Sequence, residues 1–450
     1  MLKPGEIPNK EPAISVGIIL PEDNVKTIEL ILPTDEIYLL SGINSASDIE
    51  MSGKSIRIEL LDNGISVECD NNSLALLERD TDIVFSLLTP KNIAPQSGIF
   101  LKNVRSGRNF HWEKRIDIYL PQTIIIKQYK GNLLLINELS LEVYLMCVAT
   151  SEMGADSPPA LIEAQTIAAR SWLLAAAEQK HKDLGIDACN DDCCQRYQGT
   201  TNLSRQSIAG ALNTSGQVLL YDGKICDARY SKSCGGMTES YHNIWQGEPV
   251  PYLSALADIP DTKELPDLKN ETQFRKWIIN PPVAFCSPQI IPESDLKKYL
   301  GSVDEEGRYF RWEKMLNQRE LTENINRFTN IKAEYISDLI PEERGESGRI
   351  IKLKIKYIDS KNEIKVHLLQ SEYAIRQTLH RSFLYSSAFF IEKDKDKNSS
   401  VPSAFKLYGA GWGHGVGLCQ IGALGMALSG YSTKEIMAHY YKNSELEKIY

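Results

Sequence analysis

Ser140-Leu141-Glu142-Val143-Tyr144-Leu145-Met146-Cys147-Val148-Ala149-Thr150-Ser151-Glu152 is where this chain changes character. Ser140 is a candidate N-cap, and Leu141, Leu145 and Val148 follow at helical spacing, so the pattern predicts a helix that starts here and ends at Gly154. Upstream the period is different. From Pro12 to about Asn137 the sequence is a series of short β-rich runs: Ile14 to Leu20, Ile28 to Leu32, Ser55 to Leu61, Ile65 to Cys69, Ile116 to Leu120, Ile124 to Tyr129 and Leu133 to Ile136. Asn63-Gly64 and Lys130-Gly131-Asn132 separate neighbouring runs as hairpin turns do. Residues 1–136 therefore read as an all-β N-terminal domain.

Downstream, Asp156-Ser157-Pro158-Pro159 is a helix start, and Ala160 to Gln179 places Leu161, Ala164, Ala168, Trp172 and Ala175 on one stripe. Residues 258–349 are more charged and read as an insertion within a domain spanning 137–450. Beyond it, Ile350 to Tyr357 and Glu363 to Leu369 resume β patterning across Ser360-Lys361-Asn362, and Lys393 to Ser400 reads as a polar loop. The expected class is α+β: a mixed α/β core with an N-terminal all-β domain and an inserted subdomain.

Length and composition agree with a folded chain of more than one domain: 450 residues, 42% hydrophobic and 24% charged. The net charge of -9, without a basic stripe, argues against nucleic acid as a partner. The longest apolar runs fall far short of the ~20 residues a membrane helix needs, and Met1-Leu2-Lys3-Pro4-Gly5-Glu6 does not read as a signal peptide.

Four segments can carry chemistry. Glu152 shares the stripe of Leu141, Leu145 and Val148, at offsets of eleven, seven and four, and is expected to face inward. A carboxyl group that loses hydration holds its proton more readily, as a general acid must. The bland alternative is a last-turn glutamate paired with a base such as Arg170.

The second segment, Gly409 to Gln420, has five glycines in its first nine residues, with Trp412 and His414 as its large side chains. It does not fit the dinucleotide-binding pattern, so the choice is between a ligand loop and a tight strand-to-helix turn. The third, Cys189-Asn190-Asp191-Asp192-Cys193-Cys194, is preceded by His181. Three thiols and an imidazole make a tetrahedral N/S set, against which stand reduced buried cysteines or one disulfide with a spare thiol. In the fourth, Tyr230 to Glu239, Cys234 beside Gly235-Gly236 leaves open a cysteine nucleophile.

In combination the chain resembles the SpoIID/LytB family. The resemblance is carried, in order, by Leu141 to Leu145, Ser151-Glu152-Met153, Glu163 to Arg170, Cys194-Gln195-Arg196-Tyr197, Cys234-Gly235-Gly236-Met237-Thr238-Glu239, and the run from Gly411 through Gly422-Ala423 and Gly430-Tyr431 to His439-Tyr440-Tyr441. It spans the chain from about Asn137 onward, with the N-terminal β domain and the insertion covered weakly or not at all.

The resemblance implies a peptidoglycan lytic transglycosylase acting on glycan strands, with Glu152 as general acid and base. It implies a substrate cleft shaped by Arg170, Gln195, Tyr197, Gly235, Gly236, Glu239, His414 and Gln420. It further implies a structural zinc ion on His181, Cys189, Cys193 and Cys194, with Cys234 and Cys419 as further thiols that either join a metal site or are simply buried. No organic cofactor is expected. A cell-wall amidase is the expected protein partner, and substrate logic places the protein outside the cytoplasm with its signal or anchor absent from this chain. The enhancer branch of the family offers the alternative of a non-catalytic wall-binding protein.

Overall fold

The computed structural model describes residues 1–43, 48–88, 92–108, 113–154, 156–260, 265–300, 308–394 and 401–450. The N-terminal region is built from two sheets. One has seven strands in the order Ala188–Cys189, Ala13–Ile19, Asn132–Ser140, Thr123–Tyr129, Ile83–Leu87, Tyr38–Ser41, Ile49–Met51. The other has six, in the order Lys114–Leu120, Ile99–Ser106, Thr27–Ile31, Ser55–Leu61, Gly64–Cys69, Asn72–Leu77. The hairpin at Asn63-Gly64 pairs Leu61 with Gly64, and that at Lys130-Gly131 pairs Tyr129 with Asn132. Residues such as Val16, Ile28, Ile56, Phe85 and Ile126, all buried, form one core between the two sheets.

That core does not stop at the β region. The strand Asn132–Ser140 runs directly into helix α1 (Leu141–Glu152), whose Leu141, Tyr144, Leu145 and Val148 join it. Helix α1 is buried on nearly every side, from Leu141 and Glu142 through Tyr144 to Ser151, so a single apolar stripe understates its burial. It lies against helix α2 (Pro159–Ala175) and the helix Arg205–Asn213. Helix α2 ends earlier than the alanine run suggests, because Ala176 takes a left-handed conformation and closes the last turn onto Leu173.

A second core gathers α2, the helices Gln420–Leu428 and Thr433–Tyr440, and buried residues as far apart as Ala228, Phe285 and Leu424. A third joins Trp312, Leu321, Ile336, Ile355, Ile375, Phe389 and Leu407. The hairpin Ala333–Arg344 with Ile350–Asp359 crosses the boundary drawn at residue 349, and the strand Ala404–Ala410 pairs with Arg311–Asn317. This core and its strands thus run past residue 349 to about residue 410. Residues 395–400 of the expected polar loop lie outside the described residues, while Lys393 and Asp394 end the strand Phe389–Asp394.

Two short parallel pairings bring the chemistry-bearing segments together. Tyr230 pairs with Leu418 and Ser231 with Cys419, while Ser233 bridges Trp412 and Glu239 bridges Val416. The segments 230–239 and 411–420, distant in sequence, therefore run side by side.

Candidate functional site

Glu152 ends α1 at the edge of a cleft of about 450 Å³. Its carboxylate takes hydrogen bonds from neutral donors on three different segments. The Arg196 backbone amide and the Tyr230 hydroxyl donate to Oε1 at 3.1 and 3.3 Å, and the Gln420 amide donates to Oε2 at 3.4 Å. Gln420 is itself held by Gln165 at 3.1 Å. The Lys232 ammonium donates to the Glu152 backbone carbonyl at 3.0 Å, covering the exposed end of α1 where a cation opposes the negative helix terminus. Glu152 is thus only half-buried, and its surroundings are polar rather than the apolar surface expected from the stripe.

Aromatic and cationic side chains line the rest of the cleft. Trp172, Trp245, Trp412, Tyr373 and Phe383 supply flat apolar faces. The cationic lining is Arg108, Lys180, Arg196, Arg229, Lys232 and Arg376, against the carboxylates Glu152, Glu178 and Asp192. Glu178 is ion-paired with Arg229 at 3.0 Å and with Lys180 at 2.6 Å, and Asp192 with Arg196 at 2.8 Å. Glu152 is the lining carboxylate whose hydrogen bonds come from uncharged groups.

His414 faces this cleft beside Trp245, the rings edge to face at 4.9 Å. Its Nδ1 accepts from the Val416 amide at 3.0 Å, which leaves the proton of the neutral ring on Nε2. Burial, and then the cations Arg229, Arg349 and Arg376, hold its pKa well below the ordinary imidazole value.

The other expected substrate residues are absent from the cleft lining, and the polar side chains among them are bonded inside the fold. Arg170 is fully buried and donates to Glu142 through Nε at 3.0 Å and Nη2 at 2.6 Å, with the Gln217 carbonyl as a further acceptor. Its carboxylate partner is Glu142 and not Glu152. Gln195, also buried, donates to the Ala169 carbonyl and accepts from Tyr144 at 2.9 Å. Tyr197 has no exposure, donates to Asn137 Oδ1 at 2.6 Å and stacks on Tyr144 at 5.3 Å.

Glu239 is likewise sealed. It accepts from Ser347 Oγ at 2.5 Å and from the amides of Ser240, Glu346 and Ser347, so it anchors the turn between the strands Ala333–Arg344 and Ile350–Asp359. Gly235 and Gly236 have φ of +78° and +100°, and a Cβ on the first would come within 3.0 Å of Ala410 and Gly411. They let two chain segments cross closely and are absent from the cleft lining. Sequence reasoning in turn missed Tyr230, Lys232 and Arg196. All three stand inside motifs already singled out, masked there by the neighbouring Cys234 and Gln195.

Among the described residues two groups have donor atoms close enough to hold a metal, in each case within 4.8 Å of one another: His181, Cys189, Cys193 and Cys194, and Cys234, Asp258, Cys286 and Cys419. In the first, Cys189 Sγ lies 3.1 Å from Cys193 Sγ, and His181 Nε2 lies 3.8 Å from Cys193 Sγ. All nine cysteines are free thiols, so this donor set is chemically fit for a tetrahedral ion. The loop is braced from below by Arg108, which bonds Asn190 at 2.7 Å, Asp191 at 3.1 Å and Asp23 at 2.7 Å.

Comparison with known proteins agrees with the motifs. Residues 129–221 match the family described as Stage II sporulation protein (SpoIID), and residues 239–417 match a domain family of unknown function, DUF8618. The chain is 26% identical over 310 residues to the amidase enhancer of Bacillus subtilis, covering 66% of this chain and 39% of that one. It is 21% identical over 329 residues to stage II sporulation protein D of Bacillus amyloliquefaciens, covering 70% and 76%. An uncharacterised protein of Brachyspira hyodysenteriae is 26% identical over 318 residues, covering 71% and 69%. The chain's similarity to stage II sporulation protein D and to the amidase enhancer rests on these matches together with the ordered motifs.

Proposed function

We propose that the chain acts on the bacterial cell wall as a peptidoglycan lytic transglycosylase, with Glu152 as its acid and base. The observation that carries this reading is the isolation of Glu152 in the cleft: the other lining carboxylates are neutralised by Arg196, Arg229 and Lys180. Ordinary glycoside hydrolysis uses two carboxyl groups, one of them a nucleophile or an activator of water. A single carboxyl suffices when the sugar supplies its own nucleophile. Glu152 protonates the departing glycosidic oxygen, then takes the proton from the 6-hydroxyl as that oxygen closes a 1,6-anhydro ring.

The lining suits a polymer of N-acetylmuramic acid and N-acetylglucosamine. Trp172, Trp245 and Trp412 offer flat faces to sugar rings, and the cationic excess suits the lactyl carboxylates that strands stripped of stem peptides expose. Such a substrate lies outside the cytoplasm, where the protein works. His181, Cys189, Cys193 and Cys194 hold a structural zinc ion in this reading, a closed four-ligand site that stiffens the loop carrying Arg196 toward Glu152.

Digestion of purified denuded glycan, with mass spectrometry of the products, tests the reaction. Anhydro-terminated fragments are expected; water-terminated fragments, or full activity in Glu152→Gln, overturn it. The amidase enhancer among the relatives favours a second reading, in which the chain binds wall and stimulates a separate amidase. That reading predicts glycan binding without product and stimulation that survives Glu152→Gln.

A further inference from the structure

Beside the paired segments 230–239 and 411–420 lies a second cluster of thiols, buried from solvent. Cys234, Cys286 and Cys419 are each no more than 4% exposed, and Asp258 among them is 0% exposed. Cys234 Sγ is 3.7 Å from Cys286 Sγ and 3.2 Å from Asp258 Oδ2. The edge of a tetrahedron of thiolates about a zinc ion, with Zn–S of about 2.3 Å, is about 3.8 Å.

The surroundings are those of a ligand shell. Cys419 caps the helix Gln420–Leu428, and its sulfur accepts two backbone amides, Cys234 N at 3.1 Å and Gly422 N at 3.2 Å. Amides directed at a sulfur stabilise a thiolate, as does a helix N-terminus. Asp258 keeps Oδ2 turned to the thiols while Oδ1 accepts from Tyr440 at 2.7 Å and meets His439 Nε2 at 3.2 Å. Outer partners of this kind orient a ligating carboxylate. Arg311 stands close enough to act electrostatically on both Cys234 and Cys286. Three reduced cysteines alone would pass for small apolar side chains in a core. A fully buried carboxylate at their centre costs several kcal/mol of desolvation unless a cation compensates it.

We propose that Cys234, Asp258, Cys286 and Cys419 form a second, buried structural zinc site, distinct from that at His181, Cys189, Cys193 and Cys194. Binding displaces the three thiol protons to solvent and leaves a closed shell of three sulfurs and one oxygen. Its position gives it a task. Cys234 and Cys419 flank the inserted unit in sequence and Cys286 lies within it, so one ion fastens that unit to the paired segments 230–239 and 411–420. Cys419 directly precedes Gln420, whose amide reaches Glu152, and the ion therefore fixes one wall of the cleft at a distance.

The test is metal content of the full-length protein purified without added metal or chelator, with zinc released by denaturation and counted against a chromogenic chelator. Two equivalents per chain are expected. Cys286→Ala, and independently Asp258→Asn, should each lose one, and Cys189→Ser with Cys193→Ser should lose the other. An unmodified chain that holds no zinc, or one whose single equivalent is unchanged in Cys286→Ala and in Asp258→Asn, overturns the proposal. So does a count of two that is unchanged in both Cys286→Ala and Asp258→Asn. A mass 2 Da low, mapped to a bond among Cys234, Cys286 and Cys419, overturns it as well. These readouts are independent of whether the chain cleaves glycan.

Discussion

The Tyr230 hydroxyl donates a hydrogen bond to Glu152 Oε1 at 3.3 Å, across 78 residues of sequence. Burial first, and the charge of Glu152 next, raise the Tyr230 pKa well above its ordinary value, so the phenol remains a donor throughout the physiological range. In the proposed reaction this bond holds the Glu152 carboxyl in place within the cleft. Tyr230→Phe is expected to lower kcat roughly tenfold, about 1.4 kcal/mol, with KM changed less than about twofold. Steady-state kinetics on denuded glycan decide this, and an unchanged kcat would remove Tyr230 from the site.

Arg170 holds a buried carboxylate in the interior. Its guanidinium grips both oxygens of Glu142, which also accepts from Tyr450 at 2.7 Å and from the Gly216 amide. Arg170→Ala strands that carboxylate in the interior and is expected to cost about 3–5 kcal/mol. The double variant Arg170→Met with Glu142→Gln should recover much of the loss. Chemical denaturation of the three proteins provides the check, and a single variant as stable as the parent would contradict the geometry.

Protonation of His414 gives a pH dependence whose sign is fixed. The imidazole is neutral in the fold because its pKa is held well below the ordinary value of about 6.5, while in the unfolded chain it titrates near that value. The unfolded chain therefore binds the extra proton below about pH 6.5. The stabilising contribution is complete above that pH and is lost as acid drives the solution down toward the folded pKa, at up to about 1.4 kcal/mol per pH unit. Thermal melts between pH 7.5 and 5 should show a shallower decline in His414→Gln than in the parent chain. Equal slopes would place the acid sensitivity elsewhere.

For the zinc proposed at His181, Cys189, Cys193 and Cys194, Cys193→Ser is expected to release one zinc equivalent and to lower the melting temperature. An ion present at a thousand times its Kd stabilises the fold by about 4 kcal/mol. Differential scanning with and without a chelator measures this, and a melting curve indifferent to chelation would return the cluster to plain thiols.

Much of the fold is legible in the sequence, for identifiable reasons. Alternating runs such as Ser55 to Leu61 and Ile65 to Cys69 lie half on a core, so period two survives in them. Strands such as Asn72–Leu77 escape notice because they are largely exposed and carry little alternation. The position of Glu152 at the end of a buried helix is readable, but its polar setting is not, since Tyr230 and Gln420 arrive by tertiary contact. Gln195, Tyr197, Gly235, Gly236 and Glu239 teach the complementary point. Their surroundings arise from tertiary contacts that the sequence does not display, such as the packing of Tyr197 on Tyr144 and the crossing of 235 over 410.

The pairing of segments 230–239 with 411–420 also sets a schedule. Glu152 leaves the ribosome 268 residues before Gln420, its partner in the cleft. At 5–20 residues per second that interval is roughly 13 to 54 s. Throughout it the growing chain holds Glu152 without the wall that completes its surroundings, and no local refolding of α1 can supply that wall. The working geometry is consequently a late event of biogenesis, and agents that slow the arrival of the 411–420 segment would delay function without touching Glu152.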